Sequence, residues 1–230
     1  MSSLINFLYV YSLGDAENQF RVGKIKTKNM KKLFTILTVV ALTTTVSFAQ
    51  AQFGIKAGLN IAAVGSSEDA APEDARMGMQ LGGIAMFDLS DAVQLRTGLT
   101  YSQKGAAEKD FLGSGEDLVY ALDYLEVPVD FAFMLGDGGF ALSAGPYLGF
   151  LMGANLKFDG ESENMNEDGD NFNGMDFGLN LGMSFLINEQ ILIDARYGMG
   201  LSDITNNDTM GDEVSVNGAL QISVGYVFGN

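Results

Sequence analysis

From Phe53 onward, apolar residues occupy every second position, and Gly or polar residues fill the places between. Period two is the signature of an extended strand with two unlike faces. The stretch FGIKAGLNI sets Phe53, Ile55, Ala57, Leu59 and Ile61 against Gly54, Lys56, Gly58 and Asn60. MGMQLGGIAMFDL from Met77 and VQLRTGLTYSQK from Val93 continue it, with Gln80, Gln94, Arg96, Thr100 and Ser102 on the polar parity. It recurs in FALSAGPYLGFLMG from Phe140, MDFGLNLGMSFLI from Met175, ILIDARYGMGL from Ile191 and VSVNGALQISVGYVF from Val214. Polar positions there include Asp176, Asn180, Ser184, Asp194, Arg196, Asn217, Gln221 and Ser223. One more segment, DLVYALDYLEVPVDFAFM from Asp117, shifts its apolar parity between Tyr124 and Val127. That shift predicts a β-bulge or a strand rising out of a membrane, and Pro128, lacking an N–H, makes the position irregular.

These eight segments are joined by connections of alternating length. Short ones fall near Ser90–Ala92, Gly136–Gly139 and Asn188–Gln190; long polar ones near Ala63–Ala75, Gly105–Glu116, Lys157–Asn173 and Ser202–Glu213. The pattern predicts an all-β, eight-stranded antiparallel up-and-down transmembrane β-barrel, with both barrel ends of the chain at the short-turn side. Aromatic residues sort accordingly. Phe53, Phe87, Phe133, Phe140, Phe185, Tyr226 and Phe228 fall at the short-turn ends, and Tyr101, Tyr120 and Phe177 toward the long loops, as interfacial belts require. Parity cannot say which face is outside, since a soluble ligand-binding barrel turns the apolar face inward. The polar parity is rich in Gly, Asn, Gln and mixed charges rather than a Lys/Glu surface, which favours the membrane.

The chain before Phe53 supports the same expectation. Lys24, Lys26, Lys28, Lys31 and Lys32 precede the apolar run Leu33–Ala49, and AQA at Ala49–Ala51 places small residues for cleavage after Ala51. This is the three-part pattern of a secretory signal peptide. The run is marginal for spanning about 30 Å of hydrocarbon and carries several threonines. The expected organisation is an N-terminal extension from a mis-called start over 1–29, a signal peptide over 30–51, and a barrel over 52–230 beginning at Gln52.

The 230 residues include no His, no Cys and no Trp. Lacking His excludes Ser-His-Asp and Cys-His couples, imidazole bases and His-bearing zinc sites, and lacking Cys excludes thiolates and disulfides. The formal charge of −16 is uneven: residues 1–51 carry six Lys/Arg and two Asp/Glu, leaving seven against 27 in the remainder. So acidic a body repels phosphate backbones, so no nucleic acid is expected as a partner.

The chain resembles the PorT-like outer-membrane β-barrel family, also described as the outer membrane protein beta-barrel domain. The resemblance rests on FGIKAGLN after the signal, YSQKG closing the third segment, YLEVPV in the fourth, AGPYLGFLMG in the fifth and DARYGMGLSDI in the seventh, and spans Phe53 to Phe228. It implies an eight-stranded barrel in the outer membrane of a Gram-negative bacterium and little about activity. Many such barrels end on an aromatic residue, whereas Gly229 and Asn230 follow Phe228 here. Small outer-membrane enzymes of the acyltransferase, deacylase, phospholipase and protease types resemble one another in needing a catalytic His, so no enzyme is expected.

Inward candidates for chemistry are Lys56, Arg96, Glu126, Asp130, Asp176, Asp194 and Arg196. An ion path or a carboxylate pair is one reading. An eight-stranded interior is only just wide enough for side chains, which favours a salt-bridge network filling the barrel, with a carboxylate partner for each of Arg96 and Arg196. The loop from Lys157 to Asp176 gathers Asp159, Glu161, Glu163, Glu167, Asp168, Asp170 and Asp176. Its NEDGDNFNGMDF run imitates a calcium loop, but Asn171 stands where the turn Gly belongs and Phe177 where the closing Glu belongs. A solvated acidic loop is the preferred reading, with weak divalent-ion binding as the alternative. The expectation is a monomeric, non-enzymatic outer-membrane barrel with no cofactor or metal, acidic extracellular loops, and a structural or adhesive role. Its expected partners are outer-membrane lipids and the barrel assembly machinery. A narrow pore or small-ligand transporter, and a soluble periplasmic ligand-binding barrel, are the alternatives.

Overall fold

A computed structural model describes residues 51–66, 75–136, 138–166, 171–205 and 215–228. The expected signal peptide and N-terminal extension lie outside the described residues. Among the described residues nine strands run in chain order: β1 Ala51–Ser66, β2 Arg76–Ser90, β3 Val93–Glu108, β4 Leu118–Met134, β5 Phe140–Phe158, β6 Glu161–Asn164, β7 Met175–Ile187, β8 Ile191–Gly200 and β9 Ser215–Phe228. Each neighbouring pair is antiparallel, β1 pairs with β9, and β4 pairs with β5, so eight strands close into a ring. β6 is a four-residue extension paired with the end of β5 beyond that ring. Closure removes every edge in the wall, which hydrocarbon demands because it supplies no hydrogen bonds to an open edge. The ring strands run from 10 residues in β8 to 19 in β5, at or above the about 9–11 that cross a bilayer.

Alternation decides which way each residue points. Along β1, Lys56 and Asn60 are buried while Phe53, Ile55, Leu59 and Ile61 are exposed. The exposed face includes Met77 at 70 % and Val224 at 57 % of full exposure. Water would penalise so broad an apolar exterior, so this surface belongs in lipid. The soluble-barrel alternative is thereby overturned: the apolar parity faces out and the polar parity in.

The inner wall of β1, β2, β3 and β9 alternates large polar residues with glycine across the strand pairs. Lys56 faces Gly82 and Gly225, Gln80 faces Gly58, and Asn60 faces Gly78. A Cβ on Gly82 would stand 2.4 Å from the carbonyl oxygen of Leu99, so nothing larger fits there without moving backbone. This spacing lets long polar side chains share a narrow lumen.

The turns behave as their sequences require. Ile187–Gln190 closes with a 3.0 Å bond from Gln190 N–H to Ile187 C=O, and both central residues, Asn188 and Glu189, have positive φ. That is the I′ geometry matched to hairpin twist. The parity shift expected in β4 does not occur. Inward positions run unbroken from Leu122 through Tyr124, Glu126, Pro128 and Asp130 to Ala132. The bulge lies on the neighbouring strand, where Asp123 faces Gly153 and Tyr124 faces Leu151, leaving Met152 as the extra residue. β4 reads as irregular because its inner face carries Leu122, Tyr124 and Pro128, whereas the outer face carries Asp123. Beside the proline, the Thr97 hydroxyl donates to Pro128 C=O at 2.7 Å.

Candidate functional site

The interior is built in three layers. At the short-turn end, Ile84 and Met86 of β2, Leu192 of β8 and Val227 of β9 form a buried apolar floor, with Leu186 packed against it. At the long-loop end, Ala62, Leu118, Leu122 and Ala154 are buried on the inward parity. Phe172 and Ile204 continue the even, inward parity of β7 and β8 beyond those strands and are also buried. Backbone bonds from Asn173 N–H to Ile204 C=O and from Ile204 N–H to Ser215 C=O, each 2.9 Å, hold this roof in place. Between floor and roof lies a polar waist.

The upper part of the waist centres on Lys104, which is 1 % exposed. Its ammonium lies 2.5 Å from Glu126 Oε1 and 3.3 Å from Asp176 Oδ2. It also stands 4.3 Å from the Tyr147 ring centroid, within cation–π range. Asp176 accepts further bonds from the Tyr147 hydroxyl at 3.1 Å, Asn217 Nδ2 at 3.0 Å and the Ser202 hydroxyl at 3.2 Å. Asn217 Nδ2 also donates to the Tyr124 hydroxyl at 3.2 Å, and Gln221 Nε2 donates to Glu126 Oε2 at 3.4 Å. A buried carboxylate supplied with this many donors stays tolerable despite the low dielectric.

The lower part centres on Arg196. Its guanidinium holds Asp130 Oδ2 at 3.0 Å and Asp194 Oδ1 at 2.9 Å, and Asn180 Nδ2 donates to Asp130 Oδ1 at 3.2 Å. Arg96 departs from expectation. It faces Asp130 across the β3–β4 ladder, yet its Nη1 donates to the Ser184 hydroxyl at 2.6 Å and its Nε to Gln94 Oε1 at 2.7 Å. Arg196 has taken Asp130, so Arg96 bonds neutral acceptors through Nε and Nη1, and its Nη2 is left without a hydrogen-bond partner.

All seven residues singled out from the sequence are buried in the interior, and two groups of ion pairs gather five of them. Lys56 joins neither group. Lys104, Tyr124 and Asn217 were missed as network members. Lys104 closes the alternating segment from Val93 on the same polar parity as Arg96 and Thr100, so its position in the strand pattern is the signal that identifies it as inward. Asp176 leaves the acidic loop for the interior, so it cannot serve a loop cation site. Asp159, Glu161 and Glu163 are exposed, while Glu167, Asp168 and Asp170 lie outside the described residues. Among the described residues no cluster of three acidic side chains could hold a metal ion.

A closed ring of strands, apolar outside and charged within, defines a transmembrane β-barrel. The family model described as the outer membrane protein beta-barrel domain matches residues 48–206, and the chain belongs to that family as a protein of the outer membrane. Among solved structures it is similar to Neisserial surface protein A, at 15 % identity and a TM-score of 0.51, covering 77 % of this chain and 99 % of that one. It is also similar to Ail, the attachment invasion locus protein of Yersinia pestis, at 16 % identity and a TM-score of 0.44 over 77 % of this chain and 99 % of that one. These likenesses are of fold. No curated protein matches the sequence.

Proposed function

We propose that this chain is a non-enzymatic barrel of the PorT-like kind in a Gram-negative outer membrane, with a closed lumen and a structural or adhesive role carried by its acidic long loops. The observation that supports this reading most is the layered interior, in which paired charges fill the waist between apolar floor and roof. Water and ions crossing it would have to displace both apolar layers. The lack of His adds support, because the side chain most suited to acid–base work near neutral pH is missing.

Reconstitution of the refolded protein in planar lipid bilayers tests the reading. A silent membrane with folded barrel inserted is expected. Stable, unitary current steps would overturn the closed lumen in favour of a narrow pore.

A further inference from the structure

The last residues of β5 continue beyond the ring between β4 and β6, and register fixes what shares a face there. Leu156 lies opposite Tyr120 of β4 and opposite Glu163 of β6, and Phe158 lies opposite Glu161. Directly opposed residues project to the same side of a sheet. That side is the one facing the barrel axis. Inward positions on β5 are odd-numbered as far as Gly149 and even-numbered from Ala154, because Met152 is the extra residue of the bulge. The bulge therefore turns Leu156 and Phe158 inward, above the buried roof residues Leu122 and Ala154. On the β3 side the same face ends in Glu108, opposite Leu118.

Burial thins along this face. Tyr120 and Leu156 are half-buried, Phe158 is 37 % exposed, and Glu161 and Glu163 are exposed. Its strand positions carry three glutamates and no cation, since Lys157 falls on the opposite side, across from Ser162. None of Glu108, Glu161 and Glu163 enters an ion pair among the described residues. Phe111 meets Phe158 edge to face with ring centroids 5.8 Å apart, which holds the aromatic ring in place beside the carboxylates.

Spacing and charge together select a partner. Glu161 and Glu163 are two positions apart on one strand, a separation of roughly 6.6 Å along its axis. Another extended chain has the same repeat, so cationic side chains at its alternate positions meet both carboxylates at once. A metal ion has no such repeat to match, and no group of three acidic side chains among the described residues could hold one. A cation drawn to Glu161 also comes beside Phe158, and a planar guanidinium stacks on an aromatic ring better than a compact ammonium.

We propose that the axis-facing side of the β4–β5–β6 extension docks an extended, arginine-bearing segment of a partner protein. Guanidinium groups at alternate positions pair with Glu161 and Glu163, and one of them stacks on Phe158. The docking rests on the adhesive reading of the acidic long loops and gives it a surface and a partner chemistry.

The test uses the refolded barrel in lipid nanodiscs and a fluorescein-labelled peptide of alternating Arg and Ser, followed by anisotropy. Wild type should bind it, and the double change Glu161→Gln with Glu163→Gln should weaken binding about tenfold. Removing the same charge at the short-turn end, by Asp91→Asn with Glu189→Gln, should leave affinity unchanged. Phe158→Ala, which alters no charge, should weaken binding about threefold. If that variant does not fold, Phe158→Leu replaces it, keeping apolar bulk without the ring. Equal losses from the two charge pairs, or full affinity without the aromatic ring, would overturn the proposal. Cells bearing the barrel are scored in parallel for attachment to surfaces coated with the same peptide. Attachment that survives Glu161→Gln with Glu163→Gln overturns this face as the carrier and leaves the acidic-loop reading standing. Failure of wild type in both assays counts against both.

Discussion

Arg196 and Arg96 carry the same charge in the same lumen and depend on different partners. Replacing Arg196 by Met strands two buried carboxylates, Asp130 and Asp194, a loss of about 3–5 kcal/mol. Replacing Arg96 by Met leaves only the Ser184 hydroxyl and the Gln94 amide short of a donor, about 1–3 kcal/mol. Urea unfolding of the two variants in lipid vesicles should rank them in that order, and the reverse order would contradict the pairing described for Arg196. Alternation alone places both arginines inside. Which carboxylate each reaches is a matter of competition, and Asp130 lies opposite Arg96 in the ladder yet bonds Arg196. Sequence spacing cannot settle such a competition, because it depends on distances across the lumen between strands far apart in the chain.

At the scale of the strands, the lipid-facing parity sets how charge is tolerated. Ile222 lies midway along β9 and is exposed to the membrane, so Ile222→Arg should cost about 2–4 kcal/mol. Met77 stands at the loop end of β2, so Met77→Arg should cost about 0–1 kcal/mol. Reversible folding into lipid vesicles measures both, and equal costs would mean that the apolar band is not centred where the strands place it. The strands themselves are legible in the sequence wherever the inner face is polar or glycine, as in β1, β2 and β9. β4 misleads because Leu122, Tyr124 and Pro128 put apolar surface inward. The extra residue, Met152, lies in a Gly-rich stretch of β5 whose own alternation hides it until the partner strand is laid beside it.

For the whole molecule, charge is partitioned by position. Inside the waist Lys56, Lys104, Arg96 and Arg196 balance Glu126, Asp130, Asp176 and Asp194. The negative excess of the chain therefore comes from carboxylates outside this balanced set, and among the described residues Asp88, Asp91, Asp110, Asp117, Asp159 and Glu189 are exposed. The N-terminal segment carries a separate expectation: processed protein purified from membranes should begin at Gln52, as intact mass and N-terminal sequencing would report. A start at Met30 would show that the apolar run Leu33–Ala49 is retained. The sequence by itself determined the number of barrel strands, their two faces, the alternation of short and long connections and the exclusion of His and Cys chemistry. Each of these follows from a period of two or from composition, which local order fixes. Only the tertiary structure decided that the apolar parity faces outward, that buried apolar layers lie on both sides of the polar waist, and that Lys104 and Arg196 rather than Arg96 hold the carboxylates. Those depend on ring closure, which brings residues distant in sequence together across a narrow lumen, where they compete for the same partners.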